Sequence, residues 1–156
     1  DLPFSVLRVK LINWHKWAGV TILVLSAVRL LWRLSHRPPP LPQRVLAAMP
    51  RWQQRAHHGT HWAMYLLFFA VPLFGWAYSS AKGLQIVWFG VLPLPDLLEK
   101  DKELGHLLRE VHEALNFVLL FLLAGHVAAA LKHHWIDKDD ILKRMLPTRS
   151  TPKDNT

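Results

Sequence analysis

Cysteine is absent from this chain of 156 residues. Disulfides, thiolate metal sites, iron–sulfur clusters and haem attached covalently through CxxCH are therefore excluded. Charge is scarce: Asp, Glu, Lys and Arg make up 19% of the residues against 51% apolar ones. That overall balance would suit a soluble protein. The apolar residues are gathered into runs, however, with the charges between them, which is the membrane pattern. Acids are the scarcer sign, 11 against 19 bases. The basic excess sits in loops and tail, where anionic lipid and topology account for it without nucleic acid. No HExxH motif occurs and no carboxylate lies deep in an apolar run, so metal-hydrolase chemistry fits poorly. What is plentiful is histidine, with 10 residues, and tryptophan, with 8. Tryptophan belongs to the aromatic belts at bilayer surfaces. The histidines need another use.

The stretch His112–His134, HEALNFVLLFLLAGHVAAALKHH, is long and apolar enough to cross a bilayer as a helix. Its only acid before Leu131 is Glu113, which reads as a helix-start cap. His112 and His126 are fourteen residues apart. At about 100° per residue they return to within roughly 40° of one another, about 21 Å apart along the axis. Ionisable residues inside a membrane helix are costly and point to function. Two on one face at different depths suggest two stacked cofactor positions.

An earlier run has its apolar core from Trp17 to Trp32, with His15 just above it and Arg29 near its far end. A third covers Thr60–Ser79, where Pro72 and Gly75 predict a kink. His57, His58 and His61 crowd the start of that span. Between the first two spans, Ser35–Ala56 reads as a linker broken by Pro38, Pro39, Pro40 and Pro42. Arg33, Arg37, Arg44, Arg51 and Arg55 mark it as cytoplasmic by the positive-inside rule. Ala81–Val111, with four bases and five acids, reads as the opposite loop, with a short amphipathic helix after Pro95. The expected architecture is all-α, a transmembrane helical bundle over residues 1–147 with a cytoplasmic C-terminus and a disordered tail at 148–156. Three spans place the N-terminus outside with no positively charged leader ahead of it. A fourth helix upstream of Asp1 is therefore expected in the complete bundle.

Antiparallel packing of the first and third spans would bring His15 and His112 to one depth. That suits a haem b iron clamped between two imidazoles, a six-coordinate centre for electron transfer. Gly19 and Gly125 offer small surfaces for a flat macrocycle. His126 lies deeper. Its partner is open: His58 or His61, a residue on an upstream helix, or a hydrogen bond across helices with no metal. Arg29 and Lys132 could meet haem propionates or snorkel to lipid phosphate. His133 and His134 suit surface roles, and His36, His57 and His106 read as solvated loop residues.

The segments INWHKWAGV, VRLLWRL, AHHGTHWAMYLLFFAVPLFGW, VHEALN and GHVAAALKHHWIDKDDILKRMLP, in this order, resemble the bacterial cytochrome b561 family. The resemblance implies a four-helix inner-membrane bundle holding two haem b groups and passing electrons across the membrane. One activity it implies is superoxide oxidation coupled to ubiquinone reduction. By position it makes His15 and His112 ligands of the periplasmic haem and His126 a ligand of the cytoplasmic one. The other ligand of that second haem would lie on a first helix that this sequence lacks. His58 and His61 match histidines near a haem or quinone. The expected function is a two-haem electron path between a periplasmic donor, with superoxide a candidate, and ubiquinone. The competing reading is a haem-bearing membrane anchor subunit of a larger dehydrogenase or hydrogenase complex.

Overall fold

The computed structural model describes residues 5–36 and 50–135, with only the backbone described at Gln53, His57, His133 and His134. The expected linker prolines and the 148–156 tail lie outside the described residues. Three helices dominate: α1, Val6–Ser35; α2, Arg51–Ala81; and α3, Lys102–Trp135. Each contains a segment long and apolar enough to cross a membrane, at Val6–Ser35, Gln54–Ala81 and Lys102–Lys132. The protein is a transmembrane helical bundle. Few side chains are buried within it: Val20, Leu67, Val71, Ala81, Ile86 and Leu108 form the apolar core. Leucine, valine and phenylalanine cover the helix surfaces instead. That is expected where the solvent is lipid and burial between helices gains little.

Helix limits follow local chemistry. Ser5 caps α1, its hydroxyl accepting from the Arg8 amide at 3.3 Å. Arg51 follows Pro50, so the linker ends earlier than the composition suggested, and α2 passes through Pro72 without a break. The largest revision concerns α3. It begins at Lys102, where the Asp101 carboxylate accepts from the Leu104 amide at 3.0 Å. The amphipathic segment after Pro95 is thus no separate helix but the first turns of α3. Glu113 lies in the helix interior and caps nothing.

Between α2 and α3 the chain forms a small hairpin of β1, Val87–Trp88, and β2, Leu92–Pro93, paired antiparallel. Its turn takes Phe89 and Gly90 through left-handed backbone, φ 50° and 73°. Glycine accepts this freely, but phenylalanine pays for it. Phe89 is held against Trp17, ring centroids 5.6 Å apart. Hydrogen bonds fasten the connection to both neighbouring helices. Trp17 Nε1 donates to the Val87 carbonyl at 2.7 Å, Lys16 Nζ to Leu84 at 3.1 Å, and Trp88 Nε1 to the Thr21 hydroxyl at 3.2 Å. Ser80, only 1% exposed, donates to the Trp76 carbonyl and accepts from the Leu97 amide at 3.0 Å. The connection therefore ties the first half of α1 to the Ala81 end of α2.

The chain divides into two units, Asp1–Leu119 and Leu120–Thr156. In the first, α1 packs along α2 and the opening turns of α3 complete the site described next. The second unit contains the rest of α3, with Leu120, Phe121 and Val127 on its exposed surface.

Candidate functional site

His15 comes from the first half of α1 and His112 from the first third of α3. The fold brings their rings to a centroid separation of 6.0 Å, with planes at 79°. They share a cavity of about 500 Å³ between the helices and the hairpin connection. Gly19, Val20 and Leu23 line it from α1, Pro72 and Gly75 from α2, and Ile86 from the loop. Arg8, Lys16 and Arg109 add cationic groups to its wall.

The His112 ring is held tightly. Its Nδ1 lies 2.9 Å from the Val71 carbonyl. A carbonyl only accepts, so Nδ1 carries the hydrogen and a neutral imidazole keeps its lone pair on Nε2. Gly75, one turn beyond Val71, lets the ring approach. A Cβ there would stand 2.9 Å from His112 Cε1 and 3.2 Å from Nδ1. Asn116 donates to the His112 carbonyl at 2.7 Å, on the same helix. The Val71–Gly75 pairing with His112 was not legible beforehand. Pro72 and Gly75 announced a kink, and nothing in the string says that a side chain from α3 occupies the glycine's space.

The other expected site residues fall as follows. Arg29 Nε donates to the Tyr65 hydroxyl at 3.2 Å, away from the His15–His112 cavity. His58 is exposed, its Nδ1 2.9 Å from the Gln54 carbonyl on its own helix. His61 is half-buried on α2. His126, half-buried, and Lys132, exposed, belong to the second unit. His36, expected as a solvated loop residue, stacks on Trp32 with centroids 4.0 Å apart. His106 pairs with Glu110 on the exposed face of α3, 3.3 Å apart.

Comparison with known proteins supplies the class: a prokaryotic membrane cytochrome. Residues 1–148 match the family described as "Prokaryotic cytochrome b561". "Cytochrome b561 homolog 2" of Escherichia coli (strain K12) is 37% identical over 137 residues, covering 88% of this chain and 71% of that protein. "Probable superoxide oxidase CybB" of Yersinia pestis is 35% identical over 135 residues, 86% of this chain and 74% of that one. "Cytochrome b561 homolog 1" of Escherichia coli (strain K12) is 34% identical over 137 residues, 86% and 74%. The chain belongs to the prokaryotic cytochrome b561 family. Membership carries electron transfer in the membrane and the binding of haem b.

The residues around His15 and His112 fit such a group. First-row metals bond imidazole nitrogen at about 2 Å, so two rings sharing one metal have centroids about 6 Å apart. The observed separation agrees. The cavity volume lies within the range of about 300–1,000 Å³ usual for cofactor sites. At Gly19 an added Cβ would meet nothing within 4 Å, which leaves open space on the wall beside His15.

Proposed function

We propose that this protein carries electrons between a donor on the outer side of the bacterial inner membrane and ubiquinone. His15 and His112 hold haem b, which supplies one-electron redox chemistry when bound. The observation that carries the reading is the facing of these two imidazoles across a preformed apolar cavity. Each residue has a defined task. The Val71 carbonyl orients His112 and keeps its Nε2 available as a donor to metal. Gly75 makes room for that orientation. Val20, Leu23 and Ile86 give the cavity an apolar wall, and low polarity beside a redox group is one lever on its potential.

His126 marks a second haem position, which makes two. His58 and His61 are candidates for contacts to a haem or the quinone, and Lys132 and Arg29 for propionate or lipid contacts. The haem-binding domain spans 1–147, and the C-terminus is cytoplasmic. Arg8, Lys16 and Arg109 attract an anionic reactant to the cavity, and superoxide is the donor this suits. The likeness to a protein named as a probable superoxide oxidase supports the same choice.

The test is the reduced haem b absorption band in membranes from cells expressing the protein. His112→Ala diminishes that band, and superoxide-dependent ubiquinone reduction falls with it. An unchanged band in the variant rejects the assignment of His112.

A further inference from the structure

Toward its Ser35 end, α1 holds a second concentration of chemistry, about 21–27 Å along that helix from His15. Tyr65 of α2 stands between two arginines of α1. Its hydroxyl accepts from Arg29 Nε at 3.2 Å and from Arg33 Nη1 at 3.4 Å. Both guanidinium groups also lie near its ring, 5.8 and 5.3 Å from the centroid. Arg29 and Arg33 are four residues apart and leave α1 on one face. Their donor nitrogens share one oxygen, so they lie within about 7 Å of each other. Neither has a carboxylate partner among the described residues. The phenol arranges the two cations without offsetting their charge. Like charges held this close in a membrane protein call for an anion to complete the set.

The surroundings indicate which kind of anion. Leu25, Val28 and Trp32, which lie together on one side of Arg29 on α1, are all more than half exposed. The site therefore opens onto an apolar, lipid-facing surface with an aromatic side chain at its level, as expected near a membrane interface. A ligand with an anionic head and apolar tails matches both features. Each guanidinium has five N–H donors and spends one on Tyr65, which leaves a fork for a second acceptor. Basic pockets between membrane helices bind anionic lipid headgroups in this way.

We propose that Arg29, Arg33 and Tyr65 form a binding site for the phosphate of an anionic phospholipid, whose acyl chains lie along the exposed apolar face of α1. The inference does not depend on the haem assignment, because it uses neither His15 nor His112.

The experiment is native mass spectrometry of the purified full chain with its haem, in detergent, with added phosphatidylglycerol or phosphatidylcholine. Phosphatidylglycerol should be retained in preference to phosphatidylcholine. Arg29→Gln with Arg33→Gln should lower its retention by about twenty-five-fold, at about fivefold per arginine. Arg29→Lys with Arg33→Lys keeps the charge but loses the fork, and a fall of about threefold is expected. Arg51→Gln with Arg55→Gln removes equal charge from the start of α2 and should leave retention unchanged. Retention unchanged in the Arg29/Arg33 glutamine variant overturns the proposal. Displacement of the lipid by millimolar inorganic phosphate would mean a free-anion site and also overturns it. Loss of haem with lipid preference intact would assign the arginines to a propionate, against the proposal.

Discussion

Gly75→Ala is the sharpest probe of the His112 arrangement. The new Cβ would sit 2.9 Å from His112 Cε1, where ordinary contact begins at 3.4 Å. The ring must therefore retreat by about 0.5 Å, since close-packed interiors do not absorb such an overlap. That retreat stretches the 2.9 Å bond from Nδ1 to Val71 toward about 3.4 Å, where it is much weaker. Crowding costs about 1–3 kcal/mol. The weakened bond adds about 0.5–1.5 kcal/mol. Alanine returns about 1 kcal/mol through helix propensity, so stability changes by a modest net amount. Cofactor affinity has no such compensation. Loss of a partner that orients a metal-binding histidine typically lowers affinity about 10–100-fold. Expected, then, is a variant that folds and inserts but carries much less haem, measured by pyridine haemochrome per chain. Gly59→Ala, where a Cβ meets nothing within 4 Å, is the matched control and should keep its haem. Wild-type haem content and midpoint potential in Gly75→Ala would refute the claim that the glycine sets the ring's position.

Other consequences can be checked directly. His15→Ala and His112→Ala should each abolish the same absorption component, and the double variant should lose nothing more, because two residues that act as one clamp are not additive. Ser80→Ala removes the acceptor of the part-buried Leu97 amide, so unfolding should become easier by about 0.5–1.5 kcal/mol, read as a lower thermal midpoint in detergent. Superoxide-dependent quinone reduction should slow as ionic strength rises, and Lys16→Gln with Arg109→Gln should flatten that dependence; a salt-independent wild-type rate would remove the steering role given to those cations.

The primary sequence determined the membrane class and the three spans, and it put His15 and His112 near the ends of two of them. These follow from local properties: run length, the cost of charge in lipid, and the helical repeat. Loop signals were weaker. The segment after Pro95 looked like an independent interfacial helix, but Asp101 caps a helix that continues without interruption through His112. Glu113 looked like a cap only because the apolar run, and not the helix, begins there.

Only the tertiary structure decided how the site is held. The Val71 carbonyl and the missing side chain at Gly75 matter because α2 lies against His112, and no spacing within α2 encodes what faces it. The same holds for Tyr65, an unremarkable aromatic in an apolar run until Arg29 and Arg33 arrive from another helix. Periodicity tells which side chains share a face of one helix. Which faces then meet is settled by packing between segments far apart in the chain.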